Sequence, residues 1–232
     1  MIFRFKQFSL VHGGDVFKVN SDSVLLGAWA GLTNARRILD IGAGNGLLAL
    51  MAAQRNEHAH IDAVEVSEKA CAQAAANFNR VPWRDRLEIH HGAIQEFRPD
   101  ARYDYIISNP PYFLAGTPAK KQDMYRARHA IGLSYQDLAA AAARLLAPDG
   151  RFGLILPAPE MATFAHHART AGLSLRRRLV MYPRAEKPAE RILSEWGRSV
   201  GNEQTDALIM YGRDGSYTEG YRRLTSAFYP AF

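Results

Sequence analysis

Along residues 36–171 the hydrophobic positions alternate between two kinds of stretch. Compact apolar runs, Arg37 to Ile41, His60 to Val66, Leu87 to His91 and Tyr103 to Ser108, predict strands. Leu47 to Gln54 and the alanine-rich Glu68 to Asn79, lying between them, carry helical spacing. Further on, Tyr135 to Leu146 predicts a helix closed by Pro148-Asp149-Gly150, Arg151 to Leu156 a strand, and Glu160 to Ala171 a helix. Strands alternating with helices build a mostly parallel sheet covered on both faces, so the fold class is α/β. In the last third, Leu175 to Met181, Arg191 to Trp196 and Asp206 to Tyr211 predict strands joined by turns without helices. Strands connected in that way are expected to pair antiparallel at the sheet edge. Residues 1–35 are expected to form an N-terminal extension packed on a single domain of residues 36–232, since no repeat, low-complexity tract or Gly/Ser linker divides the chain.

Composition narrows the setting. The chain has 232 residues, 47% of them hydrophobic, enough to bury the core of one large domain. Its formal charge of +6 attracts polyanions, either nucleic acid or an anionic membrane face. The single cysteine, Cys71, excludes an intramolecular disulfide framework and any cysteine-based zinc cluster, which points to a reducing cytoplasm. The start, MIFRFKQFSL, mixes charged and aromatic residues where a signal peptide would be apolar, and no apolar run reaches membrane-spanning length. The histidines show no metal-ligand spacing, so no metal is expected, and no G-x-S-x-G elbow is present.

Two stretches carry chemistry. The first is Ile38-Leu39-Asp40-Ile41-Gly42-Ala43-Gly44-Asn45-Gly46, with alternate glycines between a predicted strand and a predicted helix. Such a backbone turns sharply and approaches a ligand closely. A dinucleotide-binding loop would have its third glycine one place later, where Leu47 stands, which disfavours a pyrophosphate cofactor. S-adenosylmethionine, which has no phosphate, is the alternative. Asp40 is then expected to accept from its ammonium, and Glu65, at the tip of the next strand, from both ribose hydroxyls. The plainer reading makes the glycines a tight turn and leaves both carboxylates solvated.

The second is SNPPYF, Ser108 to Phe113, at the end of the fourth predicted strand and on the same edge. An exocyclic amine on adenine is a poor nucleophile, because its lone pair is delocalised into the ring. Two acceptors aimed at its two hydrogens would direct that lone pair at a methyl donor. Asn109 offers a side-chain carbonyl and Pro110 a backbone carbonyl; Pro111 stiffens the turn and Tyr112 can stack on the base. Without the glycine loop, the same residues would read as an ordinary loop start with an anchored aromatic.

Together these residues resemble class I S-adenosylmethionine-dependent methyltransferases of the N6-adenine type. The resemblance is closest to the bacterial tRNA (adenine-N6)-methyltransferases that modify the adenosine 3′ of the anticodon in a valine tRNA. It extends over FKVNSDSVLLGAWA (Phe17 to Ala30), ILDIGAGNGLLALM (Ile38 to Met51), AVEVSEKACAQAAANF (Ala63 to Phe78), SNPPYF and YPRAEKPAERILSEW (Tyr182 to Trp196). It implies a Rossmann-like class I fold and a cofactor site made of Lys18, Asp22, Asp40, Gly42, Gly44, Gly46, Glu65 and Asn109. It also implies a catalytic corner from Asn109 to Tyr112. Many members of the class carry an aspartate after the third strand to bind the cofactor's adenine; here Ala93 stands near that position, leaving a backbone amide or Gln95 for the contact.

Lys120, Lys121, Arg126 and Arg128 follow the corner in a stretch holding Gly116 and Pro118, and are expected to clamp RNA phosphates. Arg176, Arg177, Arg178, Arg184, Lys187, Arg222 and Arg223 add further charge. The expected partner is tRNA, with neither membrane nor metal and with a monomer favoured; a loop adenosine leaves its stack at less cost than a paired one. Three other readings stay open: a protein glutamine methyltransferase, a DNA adenine methyltransferase, and a non-catalytic RNA-binding module on the same scaffold. The basic charge disfavours the first, and the chain has little room for the recognition region the second needs.

Overall fold

The computed structural model describes residues 2–11, 20–111 and 133–232. Its first strands, β1 (Ile2–Arg4) and β2 (Ser9–Val11), form a small antiparallel hairpin, and α1 (Ser21–Trp29) follows. The chain then alternates β3 (Arg37–Ile41), α2 (Leu47–Arg55), β4 (His60–Glu65), α3 (Glu68–Phe78), β5 (Leu87–His91) and β6 (Tyr103–Ser108). After residue 132 come α4 (Tyr135–Leu145), β7 (Leu146–Pro157), α5 (Met161–Thr170), β8 (Ser174–Tyr182), β9 (Arg191–Gly197), β10 (Gln204–Ile209) and α6 (Glu219–Thr225). One eight-stranded sheet runs in the order β10-β8-β9-β7-β6-β3-β4-β5.

Alternation along β3 explains the two-layer cover. Ile38 joins one buried cluster, with Val24 and Leu25 of α1, Leu48 and Met51 of α2 and Phe78 of α3. Leu39 and Ile41 join the other, with Leu138 and Leu145 of α4 and Phe164 of α5. Successive strand residues point to opposite faces, so a strand apolar throughout needs helices on both sides. This is the Rossmann-like α/β sheet expected. The hairpin and α1 belong to the same core, since Phe5, Phe8 and Leu10 lie in the cluster around Ile38.

Two features differ from expectation. Of the three C-terminal strands only β9 is reversed; β10 pairs parallel to β8. Both edges of β9 are taken, by β7 and β8, so the following strand finds a partner only at the outer edge of β8. A strand that turns back after β9 then runs in the direction of β8. The Pro148-Asp149-Gly150 turn also falls inside β7, where the pairing jumps from Tyr103–Leu146 to Tyr105–Arg151. The five-residue step against two makes it a bulge within the strand. Among the described residues no helix is long and apolar enough to cross a membrane.

Candidate active site

The glycine loop leaves β3 and bends over β4, with the Gly42 and Ala43 N–H groups donating to the Val64 carbonyl at 2.9 and 3.2 Å. Gly42, Gly44 and Gly46 have φ of +73°, +57° and +84°, a region that side chains disfavour. Gly42 is exposed, and a Cβ placed there would meet nothing within 4 Å, so the loop faces open space. Gly46 is the opposite case: a Cβ would stand 2.5 Å from the ring of Phe78 on α3.

Glu65, at the tip of β4, closes the loop from the side. Its Oε2 accepts the Gly44 N–H at 2.8 Å and its Oε1 the Ser67 N–H at 2.9 Å. Each carboxylate oxygen keeps a further lone pair for a ligand hydroxyl. Asp40 is placed differently from expectation. It has no exposed surface, its Oδ2 accepts the Ala49 N–H in the first turn of α2 at 3.1 Å, and its Oδ1 has no partner. Gly46 offers α2 no side-chain cap, and Asp40 performs that service from beneath the loop. Burial pushes its carboxyl up to about 7, against the Ala49 N–H and with a smaller push from Glu65. As folded it supports the loop from beneath, with Oδ1 left unbonded. Beyond β5, Gly92 donates to the Glu65 carbonyl at 3.0 Å, Ala93 is half-buried and Gln95 exposed.

The corner sits on the neighbouring strand. β6 pairs with β3, and Ser108 Oγ donates to the Ile41 carbonyl at 2.8 Å, pinning the base of the corner to the base of the glycine loop. Asn109 is half-buried, Pro110 buried and Pro111 half-buried. Asn109 Nδ2 donates to Ser23 Oγ of α1 at 2.9 Å and lies 3.5 Å from Asn20 Oδ1. Asn20 caps α1, its Oδ1 accepting the Ser23 N–H at 2.7 Å. Asp22, expected beside the cofactor, is buried and paired through Oδ2 with Arg191 Nε of β9 at 2.8 Å, so it ties α1 to the sheet. Lys18, Tyr112, Lys120, Lys121, Arg126 and Arg128 lie outside the described residues.

The later arginines are largely committed to the fold. Arg177 pairs with buried Glu195 through Nε and Nη2 at 2.5 and 2.7 Å and stacks 4.1 Å from the ring centroid of Trp29. Tyr105 and the Gly31 N–H also donate to Glu195. Burial pushes the Glu195 carboxyl up, but the Arg177 and Tyr105 bonds outweigh it and hold it below the usual carboxylate range. Arg178 pairs with Glu203 and Arg176 donates to the Ser199 carbonyl, whereas Arg222 and Arg223 are exposed. Arg184 and Lys187 line an open hollow of about 350 Å³ in the loop joining β8 to β9.

Asn20, Ser108 and Arg191 went unnoticed as site residues in the sequence, and Ser23, expected with Asp22 in a turn over the cofactor, lies in the first turn of α1. Asn20 followed by Ser23 ahead of an apolar run is a legible helix start, but nothing local says that the helix end meets a strand tip 86 residues away.

Comparison with known proteins agrees with this geometry. A family model described as "Methyltransferase small domain" matches residues 18–160. The tRNA1(Val) (adenine(37)-N6)-methyltransferase of Dyadobacter fermentans is 42% identical over 236 residues, covering 99% of this chain and 98% of that protein. The protein of the same name from Aeromonas hydrophila is 41% identical, covering 98% and 96%. Among solved structures, a predicted O-methyltransferase from Agrobacterium tumefaciens superposes with a TM-score of 0.71 at 22% identity, over 89% of this chain and 96% of that one. A glycopeptide N-methyltransferase complexed with S-adenosylmethionine gives 0.58 at 14%, over 79% and 90%. The structural likenesses speak for the fold, and the sequence likeness is far closer: the chain belongs to the methyltransferase small-domain family, within the tRNA1(Val) (adenine(37)-N6)-methyltransferases.

Proposed function

We propose that this protein transfers a methyl group from S-adenosylmethionine to the N6 amine of adenosine 37 in a valine tRNA. The observation that carries the reading is the bond from Ser108, just before Asn109-Pro110, to Ile41, just before the glycine loop, across adjacent strands, with Glu65 clamped to that loop at 2.8 Å. The site fits the cofactor: open space above Gly42 and a carboxylate with free lone pairs in Glu65. Glu65 holds the ribose hydroxyls, and the glycine loop admits the amino-acid end without side chains in the way.

When bound, the cofactor supplies an electrophilic methyl on a sulfonium centre. Asn109 Oδ1 and the Pro110 carbonyl accept the two amine hydrogens and direct the nitrogen lone pair at that methyl. Transfer would form the N–C bond as the donor's S–C bond breaks, and with the amine proton lost to water these residues need supply no strong general base. Tyr112 is proposed to stack on the base, and Lys120, Lys121, Arg126 and Arg128 to hold backbone phosphates. Lys18 is proposed as a further cofactor contact.

Incubation with labelled S-adenosylmethionine and, separately, unmodified tRNA, DNA or a protein extract should yield N6-methyladenosine in tRNA alone. Methylglutamine or methylated DNA would move the enzyme to another substrate class, and no transfer at all would favour a binding module. Asn109→Ala should lower turnover at least about a hundredfold while leaving cofactor affinity near wild type, as loss of a transition-state contact predicts.

A further inference from the structure

We infer that Ser23 and Asn20, at the N-terminus of α1, are positioning residues that set which end of the Asn109 amide faces the substrate. The inference rests on the reading of Asn109 as an acceptor for the target amine. A carboxamide presents an acceptor from one end and two donors from the other, and the two ends are nearly the same shape. A reversed Asn109 would point N–H groups at the amine hydrogens and repel them. Among the described residues, the bonds of the Asn109 side chain run to Ser23 and Asn20 and not to the backbone of the corner.

The two α1 residues supply the missing polarity. Ser23 Oγ lies 2.9 Å from Asn109 Nδ2. A hydroxyl could serve either end of an amide, but the neighbouring Asn20 Oδ1 is fixed as an acceptor by the Ser23 N–H at 2.7 Å and stands 3.5 Å from the same nitrogen. A carbonyl oxygen turned towards that pair would face a second carbonyl oxygen, whereas an NH2 meets two acceptors. The amine end of Asn109 therefore stays against α1, and Oδ1 is left for the substrate. The Asp22–Arg191 pair at 2.8 Å holds this end of α1 to the start of β9, and Arg191 is in register with Pro157 at the tip of β7. The arrangement is thus braced from the sheet and does not depend on the helix cap alone.

Ser23→Ala in the full-length protein should lower kcat about tenfold, the rate equivalent of one lost hydrogen bond, with KM for tRNA, Kd for S-adenosylmethionine and Tm close to wild type. Ser23→Thr restores the hydroxyl and should bring kcat back to within about threefold of wild type. Wild-type kcat in Ser23→Ala, no recovery in Ser23→Thr, or a loss of cofactor affinity that parallels the loss of kcat would each overturn the positioning role. Asn109→Ala measured alongside separates the two layers: if it remains active, the reading of the corner fails and the inference falls with it. If it is inactive while Ser23→Ala keeps wild-type kcat, only the inference fails.

Discussion

Asp40 and Glu65 occupy corresponding places in the sequence, each near the tip of one of two successive parallel strands, yet they do different work. Glu65 stays half-buried with both oxygens tied to backbone N–H groups, and Asp40 disappears beneath the loop. A fully buried carboxyl with one unpartnered oxygen makes stability depend on pH. Its folded-state value of about 7 lies above the ordinary aspartate value of 3.8, so the native state holds a proton that the unfolded chain releases. The contribution is therefore full below the unfolded value and is lost as pH rises through about 7. Between pH 5 and 8 the wild type should lose on the order of 2 kcal/mol relative to Asp40→Asn, which does not titrate. Thermal unfolding of the ligand-free proteins across that range checks it, and a pH-independent gap between the two melting curves would mean that Asp40 does not titrate there. Which acid points inward was not legible, because strand alternation names a face but not the depth at which a loop covers it.

At the scale of elements, the glycines of the loop separate into two kinds. Gly42 is needed for space above it and Gly46 for space behind it, where α2 enters against α3. Gly46→Ala combines a left-handed backbone with a Cβ driven into Phe78, and should destabilise the protein by about 2–4 kcal/mol, visible as a lower Tm. Gly42→Ala carries only the backbone term; equal losses in the two variants would refute the packing argument. Strand and helix positions in the α/β part were largely legible, since continuous apolar runs and helical spacing report burial on two faces directly. The direction of β10 was not, because it depends on which sheet edge remains free once β9 is seated between β7 and β8.

Across the whole molecule, the stretches that first marked the family meet in space. Asp22 lies in the segment before the sheet and Arg191 in the segment near its end, and their ion pair closes the site from the α1 side. A second bridge joins Trp29, Gly31, Tyr105, Arg177 and Glu195, linking the end of α1 to β6, β8 and β9. Arg177→Ala would leave the Glu195 carboxylate, in a residue only 5% exposed, without its cation, and should cost about 3 kcal/mol or more of stability. The exposed Arg222→Ala should change stability by less than about 0.5 kcal/mol. A Tm loss for Arg177→Ala no larger than that control would show the bridge to be energetically idle. The apparent basic run at Arg176 to Arg178 thus serves mainly to hold strands together, which a count of charges could not reveal.

By itself, the sequence determined the alternating α/β order, the left-handed turns that only glycine makes comfortably, and the proline-stiffened corner that follows Asn109. Each of these follows from local covalent geometry or from the periodicity of burial, which neighbouring residues encode. Tertiary structure alone decided that Asp40 supports the loop from below, that β10 runs with β8, and that Ser23 and Asn20 face Asn109. Those outcomes depend on contacts between residues far apart in the chain, where the competition between buried charge, free sheet edges and matched hydrogen-bond polarity is settled only once every element is in place.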